Sequence, residues 1–326
     1  MGTTPLVARS WYLVAASYDA ATGTVSLYQE PVVSSWNSLL SPLVPRLDAC
    51  HHAARVDVKP APLARPVLLA GWHDREQPQG DVVRGQYNGK IDRCGIQARV
   101  LSRAELDAMK AGAEPPADGL VARWDTSAGY TDHGIGDRVV DVGPHGLHGI
   151  GRNRPIRAMT GWNWAGRDDC FRLNPAQYGG IQFNQDAIID SGWCPTLEWK
   201  VENLKSGVYA LRLRSGEAED HITFFLRPTA PQARVAMLMP TSSYLAYANE
   251  HFAIDAPAVE LVTGHTLVVH DWDYALAAHP EWGRSSYDHH LDGAGVCYSS
   301  YLRPIVNLRP KHRMAGTGIP WQFPAD

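Results

Sequence analysis

WYLVAASYDAATGTVSLYQE, residues Trp11 to Glu30, decides the fold class. Trp11 to Ser17 is a run of strand formers. Asp19 to Gly23 holds the turn residues. Thr24 to Tyr28 alternates, with Val25 and Leu27 on one face. Two such runs around a polar, Gly-containing turn predict an antiparallel hairpin. Further runs follow. PVLLAGWH, residues 66–73, reads as a strand, and Tyr87 to Val100 reads as another after an Asn-Gly turn, anchored by Ile91 and Ile96. Ser102 then caps a short helix with Glu105 three residues on, as in a capping box, and Gly112 ends it.

These phrases together resemble a known sandwich. W-Y-L-V-A-A-S-Y-D, T-G-T-V-S-L-Y, Y-N-G-K-I-D and L-S-R-A-E-L look like the second half of a laminin-G-like, concanavalin-type jelly roll. Glu114 to Asp118 is a linker by composition. Beyond it, W-D-T-S, D-V-G-P-H-G-L-H-G and N-R-P resemble the opening strands of the same fold. The sandwich is therefore expected to be completed out of order. Residues 1–116 supply one part of it and residues 117–195 its closing strands and a connection. Residues 196–231 form a short immunoglobulin-like unit, with Val208–Leu213 and His221–Leu226 as a hairpin around Ser-Gly-Glu.

The pattern changes at Ala233. ARVAMLMP is a continuous apolar run closed by proline, which reads as a buried parallel strand. TSSYLAYANE after it reads as a loop. Residues 232–326 are thus expected to be the first part of an α/β domain, whose remaining strands come from beyond Asp326 or from another chain. The whole is a multidomain, mainly β protein.

Composition narrows the function. A chain of 326 residues is more than one core usually serves. The formal charge of −4, with scattered Arg and no basic stripe, argues against a nucleic-acid partner. The five cysteines are an odd number, lie far apart and form no CxxC pair, so a disulfide framework is not expected and a reducing cytoplasm is. No run reaches the eighteen or so apolar residues that a membrane helix needs.

Potential chemistry is concentrated in Glu281 to Arg313, EWGRSSYDHHLDGAGVCYSSYLRPIVNLRPKHR. It has neither a helical nor a strand period, so tyrosines, histidines and aspartates cluster on loop. The phrases R-V-A-M-L-M-P-T-S-S-Y-L-A-Y-A-N-E and S-S-Y-D-H-H-L-D-G-A-G-V-C-Y-S-S-Y-L-R-P-I-V-N-L-R-P, with D-V-G-P-H-G-L-H-G and S-G-V-Y-A-L-R-L, closely resemble the N,N-dimethylformamidase large-subunit family over nearly the whole chain. The resemblance implies an iron-dependent amide hydrolase that converts N,N-dimethylformamide to dimethylamine and formate. It implies a large, catalytic subunit with a glutamine-amidotransferase-like α/β domain, and a small helical partner subunit in a hetero-oligomer. It also implies mononuclear, ferric iron bound partly by tyrosine oxygens. The matching positions are Tyr247 and Tyr287, with Tyr244 the competitor of Tyr247. Asn249, Asp288 and His289 stand beside them.

The family's remaining carboxylate and histidine lie in a His-Pro-Glu-type phrase. His279-Pro280-Glu281 occurs here in other surroundings and on the wrong side of the tyrosine block. The remaining ligands and the proton-transfer group are therefore expected outside this chain. The chemistry is coherent: ferric iron is a hard Lewis acid, and phenolate oxygens are hard donors.

Plainer roles compete for the other residues. His289 and His290 are adjacent, so at most one faces a given site. Asp288 and Asp292 read as turn or capping residues. Cys297 reads as a small buried apolar group. Asp271 and Asp273, two apart on a strand, would share a face like a glycosidase pair, but unspecifically. His145 and His148 read as structural. Arg303 and Arg309 are open between a subunit contact and a site carboxylate. From another class, the rival reading is a non-catalytic β-sandwich that binds carbohydrate or protein.

Overall fold

A computed structural model describes residues 4–34, 36, 46–57, 66–73, 83–132, 134–230, 233–251, 264 and 266–309. The chain divides into two compact units, Met1–Phe183 and Asn184–Asp326. The fold is mainly β, and every pairing among the described strands is antiparallel.

In the first unit the expected hairpin forms. Trp11–Asp19 pairs residue by residue with Thr24–Val32, which pairs in turn with Cys50–Arg55. Asp19 closes the turn by accepting from Ala21 N at 2.9 Å and Thr22 Oγ at 2.8 Å, and Gly23 takes φ +67° there. The strand alternates as read, and the face that carries Tyr28 is the buried one, while Leu27 on the other is exposed. Tyr28 wins because its hydroxyl finds a partner, donating to Asp107 at 2.6 Å.

The expected strand at 66–73 shrinks to Trp72–His73. The expected strand at 87–100 divides into Gly89–Ile91 and Gly95–Gln97, which enter different sheets. Arg93, at φ +53°, lies in the break. Strands from both sides of the Pro-rich 114–118 stretch pair with one another. Gly95–Gln97 pairs with Leu120–Asp125, and Gly89–Ile91 pairs with Gly180–Phe183. Ala122, Trp124, Ile156, Tyr178 and Ile181 are the buried apolar residues of this region. The helix Arg103–Lys110 carries the expected capping box.

The second unit keeps one regular hairpin, Gly207–Ser215 with Ala218–Leu226, which extends the first expected run at both ends and the second at its start. Ala233–Met239 is not a strand, and Val235, Met237 and Leu238 are exposed. A strand requires a hydrogen-bonded neighbour, and no described strand lies beside this run. The expected loop at 241–250 begins as a helix, Thr241–Tyr247. Asp271–Ala278 is also a helix, so Asp271 and Asp273 are not a strand pair sharing a face. No described helix is long and apolar enough to cross a membrane.

Candidate metal-ligand site

Two short segments build the site. The first is the end of the helix Thr241–Tyr247 and the turn after it. Tyr247 is the last helical residue, and Asn249, two residues on, is left-handed at φ +59°. Asn is one of the few residues that end a helix this way cheaply. The second segment is the irregular stretch from Arg284 to Arg309. Ser286 N donates to Ala246 O at 2.9 Å, which ties the two together.

That tie brings Tyr247 and Tyr287 face to face. Their ring centroids are 4.0 Å apart with planes 10° from parallel. A hydrogen bond to Tyr287 raises the Tyr247 phenol above its ordinary pKa, with burial and the neighbouring oxygen pushing the same way. Tyr287 is about half exposed. Tyr244 is not part of the pair; its ring stacks on Phe225 at 6.4 Å.

Beneath the tyrosines the backbone is held by buried side chains. Asn249 N donates to Asn307 Oδ1 at 2.9 Å, and Asn249 Nδ2 donates to Pro304 O at 2.6 Å. Asn249 Oδ1 accepts from Val306 N at 3.0 Å. Asn307 Nδ2 reaches Tyr247 O at 3.4 Å, and Arg303 Nη2 donates to Ala248 O at 2.9 Å. Asn249 and Asn307 are buried, so each of these bonds satisfies a group that water does not reach. Asn249 thus acts through the backbone of Tyr247.

Asp288 and His251 form a buried pair. One Asp288 oxygen accepts from His251 N at 2.9 Å, and the other accepts from His251 Nδ1 and Ser285 N, each at 2.9 Å. Burial pushes the Asp288 carboxyl up, but these hydrogen bonds outweigh it and hold it below the usual carboxylate range. Asp288 is therefore an anchor of the turn that presents Tyr287. A second buried pair lies nearby in sequence: Asp186 accepts from His290 Nδ1 at 2.8 Å and from Arg284 Nε at 3.0 Å. Burial raises Asp186 as well, and His290 with Arg284 brings it down.

The two adjacent histidines divide as expected, His290 buried and His289 exposed, with His289 bridged to Gly295 across the Gly-Ala-Gly turn. Asp292 is a turn residue that accepts from Ala294 N at 2.9 Å. Cys297 is exposed, contrary to the expectation of a buried thiol, because the turn faces it outward with only a long contact to Gly295 O. His279 and Glu281 are exposed and pair with each other at 2.6 Å. His148 is structural as read, its Nδ1 accepting from Asp141 N at 3.1 Å. Among the described residues, no group of three or more His, Cys, Asp or Glu side chains is arranged to hold a metal ion. His251, Asp186 and Asn307 were not singled out from the sequence. Each is a lone polar residue outside any repeating pattern, and only tertiary contact gives it a role.

The family described as "N,N-dimethylformamidase beta subunit-like, C-terminal" matches residues 156–324, just over half of the chain. The chain belongs to this family. Within the N,N-dimethylformamidase beta subunit-like family, it is 39% identical over 328 residues to the "N,N-dimethylformamidase beta subunit" of Paracoccus aminophilus. It is 38% identical over 328 residues to the protein of the same name from Alcaligenes sp. Each alignment covers 99% of this chain and 43% of the relative, so the chain spans less than half the length of these relatives. Both are named beta subunits. That name replaces the large, catalytic subunit of the sequence resemblance.

Proposed function

We propose that this chain supplies the tyrosine side of an iron site in a multi-subunit amidohydrolase that hydrolyses N,N-dimethylformamide to dimethylamine and formate. The observation that carries the reading is the Tyr247–Tyr287 pair, two phenol oxygens brought together from segments 40 residues apart.

The pair fits a hard cation. The hydrogen bond to Tyr287 makes the Tyr247 phenol resist ionisation, and two phenolates side by side would repel. A bound cation reverses both effects and accepts both oxygens as ligands. Iron in that position would supply Lewis acidity toward the amide carbonyl and toward a water molecule. Tyr247 would be one ligand, its backbone fixed by Asn249, Asn307 and Arg303. Tyr287 would be the other, fixed by the Asp288–His251 anchor and half exposed. The remaining ligands and the group that carries the proton to the departing amine come from outside these residues. A small helical subunit, and a further segment or chain that carries the remaining ligands, are the partners this reading requires, in the cytoplasm.

The test uses the protein with the chains that co-purify with it. Iron analysis should find bound iron, and the absorption spectrum should show a visible tyrosinate-to-iron band. Tyr287→Phe removes one oxygen and little volume. It should abolish the band and the hydrolysis of dimethylformamide while moving the thermal midpoint little. An iron-free, colourless protein that still hydrolyses the amide overturns the iron reading. Full activity in Tyr287→Phe removes that tyrosine from the site. An inactive protein that binds glycans would favour the carbohydrate-binding alternative.

A further inference from the structure

Arg303 is buried, at 8% exposure, and its charge is incompletely used. Nη2 donates to Ala248 O at 2.9 Å and Ser299 Oγ at 2.8 Å, and Nε donates to Ser300 O at 2.6 Å. Nη1 has no partner among the described residues. A buried N–H left without an acceptor is costly, and more so on a charged group. Burial lowers the guanidinium's pKa to about 10, and only the more distant Asp288 opposes it. Asp288 makes no hydrogen bond to Nη1; its oxygens accept from His251 and Ser285 N instead.

Arg303 lines a narrow recess with Asp186, Arg284, His290 and Gly283. Gly283 forms the wall beside the orphan group; a Cβ built there would lie 3.6 Å from Nη1. The recess thus holds two guanidinium groups and one carboxylate. Asp186 is spent on Arg284 and His290, at 3.0 and 2.8 Å. The cation at Arg303 has no carboxylate in contact with it.

We propose that this recess binds a small monoanion, of the size of chloride or formate, on Arg303 Nη1. A charge-assisted N–H bond to an anion is about twice as strong as a neutral one, which is what an orphaned buried guanidinium lacks. The narrowness of the recess sets the size limit. Larger oxyanions such as sulfate are excluded.

The full chain, with its co-purifying subunits, is titrated with formate at constant ionic strength, and saturation transfer from protein to the formate proton is recorded by NMR. Binding is read without turnover, and Tyr287→Phe, which removes a ligand of the proposed iron site, should leave the formate signal in place, so binding in the recess is separated from product binding at that site. A saturable signal is expected, displaced by chloride and not by sulfate. Arg303→Met should weaken binding at least tenfold. Should that variant fail to fold, Arg303→Lys keeps the charge and the stem while removing Nη1 and should weaken binding several-fold. No saturable signal in the wild-type protein overturns the proposal. So does displacement by sulfate as effective as by chloride, or undiminished binding in a folded Arg303→Met or Arg303→Lys variant.

Discussion

The hairpin of residues 11–32 and the stretch from 284 to 309 solve one problem in two ways. Both must satisfy every backbone group that folding takes out of water. In the hairpin, strand pairs with strand in register from Trp11–Val32 to Asp19–Thr24. Side chains there are left to pack, stack or face water. In 284–309 the described ladder is a single bridge, His289–Gly295. Asn249, Asn307, Asp288 and Arg303 take over, each bonding backbone groups with buried polar atoms. A ladder spreads its stability over many equivalent bonds, whereas a side-chain scaffold concentrates it in a few atoms. Losing one polar side chain should therefore cost far more in the second region than in the first.

The largest effect is expected at Asp288. Asp288→Ala leaves His251 and Ser285 N buried without their acceptor and should cost about 3 kcal/mol, read as the thermal or urea transition of the carboxyl-terminal unit. The same pairing sets a pH dependence. The Asp288 and Asp186 carboxyls sit below their ordinary pKa in the folded protein. Their contribution is present above the unfolded value of about 4 and is lost as pH falls through the folded values. The carboxyl-terminal unit should thus lose stability in acid below about pH 4, and Asp288→Ala should flatten part of that slope. An unchanged slope would mean that Asp288 is not the anchor described.

Asn307→Ala comes next. It removes the acceptor of Asn249 N and the donor to Tyr247 O, and Asn307 is only 1% exposed. The expected cost is about 2 kcal/mol. If iron binds as proposed, the same variant should also shift or broaden the visible band, since Tyr247 loses a support. A band that keeps its position while stability falls would show that Asn307 serves the fold alone.

The same contrast explains what could be read from sequence. The hairpins at 11–32 and 207–226 and the capped helix at 103 are local: their residues alternate, turn or cap within a few positions. The apolar run at 233–239 misled, because hydrophobicity signals burial only when a neighbour exists to bury against. The helix Thr241–Tyr247 was missed because Thr-Ser-Ser favours turns by propensity, a weak prior that tertiary context overrides. Tyr247 and Tyr287 drew attention through a family resemblance, since no spacing rule links residues 40 positions apart. His251, Asp186 and Asn307 carry no pattern at all, because a tertiary hydrogen bond leaves no period in the chain.

The smallest effect is expected where the polar atom is local and wet. Ser102 Oγ accepts from Glu105 N at 3.3 Å, while Glu105 Oε2 accepts from Ser102 N at 2.7 Å and from Ser102 Oγ at 2.9 Å. Ser102→Ala removes the hydroxyl bonds and leaves the carboxylate on the backbone N–H. Ser102 is exposed and Glu105 partly so, and water replaces much of what is lost. The expected cost is about 1 kcal/mol, and Ser102→Gly should cost only a few tenths. The Asn307→Ala loss should exceed both, because no water takes the place of a buried amide between Asn249 and Tyr247. Equal losses at Ser102 and Asn307, measured by urea unfolding of the same protein, would mean that water reaches the Asn249–Asn307 contact, and the distinction between ladder and scaffold would fail.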